Sequence, residues 1–73
     1  MDARERVRRL VELAGPQGLT GFEIGEITGL WPHRLYPALL YLERGGMLVS
    51  DWDGGLKPRH RRYWLPYYAV KAA

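Results

Sequence analysis

A chain of 73 residues holds one small domain and no more, with a core of marginal size. It has no cysteine and only two histidines, His33 and His60, which excludes a disulfide framework and a cysteine-based zinc site and leaves too few imidazoles for a metal cage. The formal net charge is +3, and no apolar run approaches the roughly 20 residues a membrane helix needs.

The lack of cysteine fits a reducing, cytoplasmic setting. The N-terminus, Met1-Asp2-Ala3-Arg4-Glu5-Arg6, is charged with no apolar region behind it, so it is not expected to be a signal peptide. Charge is unevenly placed. From Leu56 onward stand Lys57, Arg59, Arg61, Arg62 and Lys71 with no acid, whereas Thr20 to Leu30 holds Glu23 and Glu26 with no base. A one-sided basic cluster is the footprint of a phosphate-binding surface, or equally of a solvated basic hairpin.

In chain order, residues 2–14 are predicted to form a first helix, with Val7, Leu10, Val11 and Ala14 on one stripe. Asp2 is placed to cap it and Gly15-Pro16 to end it. Gln17 to Thr20 reads as an extended connector. Thr20 or Gly21 caps a second helix over 21–28, whose Phe22, Ile24 and Ile27 are expected in the core and whose Gly25 allows close helix approach. Gly29-Leu30-Trp31 is the turn into a third helix over 32–44. Pro32 opens that helix, where a missing N–H costs nothing. Leu35, Ala38, Leu39 and Leu42 form its buried stripe, Pro37 lies inside it, and Gly45-Gly46 ends it. Residues 47–65 read as a hairpin: Met47 to Trp52 alternates as a strand, Asp53-Gly54-Gly55 is turn chemistry, and Arg59 to Leu65 returns with Tyr63 and Leu65 on one side. A short tail, 66–73, follows.

The expected fold class is therefore α+β, mainly α: three helices and a β-hairpin wing, the winged helix-turn-helix arrangement, in one domain over 1–73. The residues carry a resemblance as well. Gly21-Phe22-Glu23-Ile24-Gly25-Glu26-Ile27-Thr28-Gly29-Leu30 resembles the second helix of the PadR-like transcriptional regulators. Leu35-Tyr36-Pro37-Ala38-Leu39, with Leu42-Glu43-Arg44-Gly45-Gly46 after it, is similar to that family's recognition helix. Val49-Ser50-Asp51-Trp52 and Lys57-Pro58-Arg59-His60-Arg61-Arg62-Tyr63-Trp64-Leu65 are similar to the two sides of its wing. The resemblance covers residues 5–66 and implies sequence-specific binding of double-stranded DNA in transcriptional regulation. Four departures stand out: Trp31 where the family has a small capping residue, Leu56 where its wing has glycine, Arg62 in place of one of a tyrosine pair, and seven residues after Pro66 where the family carries a dimerisation helix.

In such a fold the start of the third helix lies in the major groove and the wing on the backbone or minor groove. That assigns Trp31, Pro32, His33, Arg34 and Tyr36 to one contact and Lys57, Arg59, His60 and Arg61 to the other. Arg34 alone among the first group can grip guanine with two hydrogen bonds. Tyr36 either packs under the wing or bonds a phosphate. Alternation sets Arg59 and Arg61 opposite His60 and Arg62. Arg4, Arg6, Arg8 and Arg9 offer backbone contacts or are merely solvated. Trp52 and Trp64 either pair across the hairpin or, with Leu40, Tyr67 and Tyr68, form a self-association patch through which Trp64, Tyr67 and Tyr68 build a homodimer. No catalytic set, cofactor motif or metal site is expected, and Asp51 and Asp53 read as strand and turn polarity. An architectural or recombination-accessory DNA binder, and a winged helix used only for protein contact, remain as alternatives. Arginine exceeds lysine by nine to two, which fits a GC-rich bacterial or phage source.

Overall fold

Val7 and Val11, one helical turn apart, are fully buried, and the helix that carries them, α1 (Ala3–Ala14), is the base on which the rest packs. The computed structural model describes residues 2–54, 57 and 60–68. After α1 come a 3-10 turn (Gly15–Gln17), β1 (Leu19–Thr20), α2 (Gly21–Thr28), α3 (Pro32–Arg44), β2 (Val49–Trp52) and β3 (Arg61–Trp64). Residues 66–68 are also helical. The result is an α+β chain, mainly helical, with a three-stranded antiparallel sheet in the order β1-β3-β2. Among the described residues no helix is long and apolar enough to cross a membrane.

Asp2 holds the N-cap position of α1 but does not cap it: its carboxylate accepts instead from Arg4 Nε at 2.9 Å. The helix ends where Gly15 takes a positive φ of 66°. The connector predicted from Gln17 to Thr20 is a strand in part. Leu19 pairs with Tyr63 and Thr20 with Arg62, so β1 joins the far side of β3 and the hairpin is extended to three strands.

Thr20 then caps α2 reciprocally. Its hydroxyl accepts from the Glu23 N–H at 3.1 Å, while the Glu23 carboxylate accepts from the Thr20 N–H at 2.8 Å. Each bond satisfies a donor that the first helical turn would leave open. Of the three apolar residues expected in the core from this helix, only Ile24 is there. Phe22 and Ile27 are 55% and 60% exposed. The buried side of α2 is made of Gly21 and Ile24, with Gly25 and Thr28 half-buried beside them. Small residues on this side let α3 approach: a methyl group built on Gly25 would stand 3.2 Å from Cδ2 of Leu35.

Helix α3 begins at Pro32 and tolerates Pro37 one turn further on. Leu35, Ala38, Leu39 and Leu42 are buried, as their spacing requires. With Val7, Val11, Ile24, Leu48 and Tyr63 they form the core, flanked by Leu10, Leu19, Leu30, Tyr36 and Leu65. Polar links fix the elements around it. Arg6 Nη2 donates to the Thr28 carbonyl at 2.7 Å, tying α1 to the end of α2. The Ser50 hydroxyl donates to the Glu43 carboxylate at 2.6 Å, tying β2 to α3.

Candidate nucleic-acid interface

Three residues, Gly29 to Trp31, separate α2 from α3, and Gly29 supplies the left-handed turn with φ 73°. Trp31 occupies the N-cap of α3 in extended backbone and offers no side-chain acceptor to the helix, as expected from an indole at that position. Its ring is 72% exposed. Pro32, His33 and Arg34 are exposed beside it, and neither the His33 nor the Arg34 side chain has an ion pair or hydrogen bond among the described residues. Tyr36 is placed differently. It is half-buried against the core near Tyr63, whose hydroxyl is pushed above the ordinary tyrosine range by burial, with the nearby Glu43 carboxylate adding to the effect. Tyr36 thus packs under the hairpin, on the other flank of α3 from Arg34.

The uncapped start gives a direct test of whether Trp31 is retained for stability. Trp31→Ser is expected to raise the unfolding free energy by about 1 kcal/mol, because a serine hydroxyl accepts a helix N–H that the indole cannot. If Trp31 contacts DNA, the same variant binds duplex more weakly. Denaturant melts and duplex titrations of the one variant separate the two effects, and a destabilised Trp31→Ser would show instead that the indole packs.

On the hairpin, Lys57 is exposed, while Arg59 lies outside the described residues. The backbone of His60 closes the hairpin base: its N–H donates to the Lys57 carbonyl at 2.8 Å, and its carbonyl accepts from the Asp53 N–H at 2.9 Å. Its side chain shares a shallow cleft with Thr20, Phe22 and Asp53, where Nδ1 is buried with no hydrogen-bond partner among the described residues. Arg61 lies over the Trp52 ring, 4.5 Å from its centre, with Nη1 buried and without a hydrogen-bond partner among the described residues.

Arg62, which the sequence marks only as a departure, holds the hairpin to the rest of the chain. It donates to the Gln17 carbonyl at 3.0 Å and to Asp53 Oδ2 at 2.9 Å, and it lies 3.8 Å from the Glu23 carboxylate. The hydrogen bond from Arg62 holds the Asp53 carboxyl below the ordinary aspartate value. A depressed folded-state pKa means that this contribution is present at neutral pH and is lost as pH falls through the depressed value.

The chain matches no family model, no curated protein and no solved structure.

The hairpin's geometry corrects the tryptophan pairing. Register sets Trp52 opposite Arg61 and Trp64 opposite Val49, so the two indoles do not meet. Trp64 turns instead to the 3-10 turn, where Nε1 donates to the Pro16 carbonyl at 3.0 Å. Tyr67 is exposed and stands edge-on to Tyr68, with ring centres 5.1 Å apart. Of the first-helix arginines, Arg4 lies 4.3 Å over the Tyr41 ring and bonds Asp2, Arg6 bonds Thr28, and Arg8 bonds Glu5. Arg9 has no such contact among the described residues.

The sequence assignment also stops one residue type short on α3. At 3.6 residues per turn, His33, Pro37, Leu40 and Arg44 run along the line opposite the buried stripe, and all four are exposed. Arg44, like His33 and Arg34, is unpaired among the described residues. The signal for it lay in the spacing: positions 33, 37, 40 and 44 recur as regularly as the buried 35, 38, 39 and 42.

Proposed function

We propose that the chain is a minimal winged helix-turn-helix that binds double-stranded DNA sequence-specifically and regulates transcription in the manner of the PadR-like regulators it resembles. The observation that carries this reading is the outward side of α3. His33, Arg34 and Arg44 present positive or hydrogen-bonding groups with no intramolecular partner among the described residues, on a helix held by a three-residue glycine turn to the one before it. The element order, with β1 on the far edge of β3 and the hairpin beyond α3, supports the winged arrangement. Lys57 gives that hairpin an exposed cation for the phosphate backbone.

Duplex binding should fall steeply with salt, since each phosphate neutralised releases a counterion. With about four phosphate contacts, the affinity drops roughly a hundredfold between about 50 and 200 mM salt. Arg34→Ala is expected to relax sequence preference, and Lys57→Ala to weaken all duplexes equally. Selection of bound sites from random duplex DNA measures the first, and a titration against unselected DNA the second. Binding that ignores salt, or equal effects of both changes on selected and random DNA, overturns the assignment.

A specific observation favours a second reading. Leu13 and Ile27 are 78% and 60% exposed and line, with Leu10, Arg6 and Arg9, a cleft between α1 and α2. Apolar side chains grouped this way mark protein contacts, so this face suits a protein partner even while α3 holds DNA.

A further inference from the structure

We infer that Leu40, supported by Pro37, reads the 5-methyl group of thymine, so that the preferred duplex carries thymine at the centre of the contact with α3. This rests on the DNA-binding reading above and adds what that site selects. Four observations lead to it. Leu40 is 48% exposed on α3. It lies on one line with His33, Pro37 and Arg44, opposite the buried stripe. The groups at the two ends of that line are basic and have no partner among the described residues. No acid shares the line: Glu43 is turned to Ser50, and Asp2, which borders Arg34, is held by Arg4.

Charge complementarity names the occupant. Basic groups at both ends of an apolar centre fit a polyanion that shows something apolar between its charged edges. From His33 to Arg44 is eleven helical steps, roughly 16 Å along the axis, against a major groove about 12 Å wide. With α3 set across the groove, the two ends reach toward the phosphate walls while Pro37 and Leu40 face the floor. The apolar group that bases present on that floor is the thymine methyl. Tyr41 lies off this line, on the flank of Arg34, and one face of its ring is taken by Arg4.

The test replaces thymine by deoxyuridine, one position at a time, in a duplex selected from random DNA, and measures affinity for the unsubstituted chain and for Leu40→Ala. Loss of a single methyl contact should weaken the parent chain about fourfold at one or two positions, the worth of one buried methyl group. Leu40→Ala, exposed and so expected to melt at the parent temperature, should bind thymine and uracil duplexes equally. Duplex binding with no uracil effect overturns the methyl contact while leaving DNA binding intact. A uracil effect that persists in Leu40→Ala overturns the assignment to Leu40. No duplex binding even at low salt overturns both and leaves the apolar centre of α3 as a protein contact.

Discussion

Gly18→Ala is expected to lower the unfolding free energy by about 3 kcal/mol or more, out of the roughly 4–11 kcal/mol that a domain of this length commands. Two independent causes act together. Gly18 has φ 63° and ψ −170°, backbone that is essentially reserved for glycine. A methyl group there would also stand 2.5 Å from the Tyr63 carbonyl oxygen and 2.6 Å from Trp64 Nε1. The indole can swing aside at the cost of its bond to the Pro16 carbonyl, but the Tyr63 carbonyl belongs to the backbone of β3 and has no such freedom. Relief requires β1 to part from β3, which also strains the Arg62 bonds to Gln17 and Gly18. Denaturant unfolding measures the change. Gly15→Ala is the control, since a methyl group there meets nothing within 4 Å and only the positive φ of 66° opposes it. With φ 66° and ψ −143°, Gly15 also lies outside the left-handed helical region, and its change should cost about 1–3 kcal/mol from backbone strain alone. Equal losses at the two positions would remove the clash from the account and leave only backbone strain.

The contrast between these glycines shows what the sequence could and could not carry. The three helices are legible because each has a glycine or proline at its boundaries, and α1 and α3 also carry an apolar stripe, signals that act within a few residues. The predicted 21–28 and 32–44 are the observed α2 and α3. Strand β1 is two residues long, too short for alternation, and exists only through pairing with residues more than forty positions later. Gly18 gains its importance from that same pairing, so nothing near it in the sequence distinguishes it from Gly15.

Phe22 and Ile27 are exposed, against the expectation, for a related reason. In a helix of eight residues with three apolar side chains, counting apolar positions does not say which side faces inward; the side chosen is the one α3 can approach closely, and it is made of small residues. Among the site residues, Trp31 to Arg34 are exposed at the start of α3, where the reading of that helix put them. The arginines were not separable by sequence. Arg61 and Arg62 are adjacent, yet one lies on an indole and the other gathers two backbone carbonyls and two carboxylates. Only tertiary partners decide which cations are left over for a ligand.

Leu35→Ala is expected to cost about 3 kcal/mol, within the range for truncating a buried leucine. Leu35 is 2% exposed and lies over Gly25, so the cavity opens at the junction of α2 and α3. Gly25→Ala alone should be neutral or mildly destabilising. Alanine favours the helix by about 1 kcal/mol, but its methyl group meets Cδ2 of Leu35 at 3.2 Å, tighter than an ordinary contact. In the Leu35→Ala background that opposition is gone, so the propensity gain should appear in full and part of the cavity should be filled. The double variant is then expected to be about 1 kcal/mol more stable than Leu35→Ala, and a double-mutant cycle should return a favourable coupling between the two positions. Because α3 is the proposed reading helix, the cycle also has a functional arm. A cavity at this junction loosens the angle between α2 and α3, so duplex affinity should fall in Leu35→Ala and recover partly in the double variant. Additive stabilities would show that Gly25 and Leu35 do not set the approach of the two helices. A stability rescue without any recovery of binding would show that their approach does not govern how α3 meets DNA.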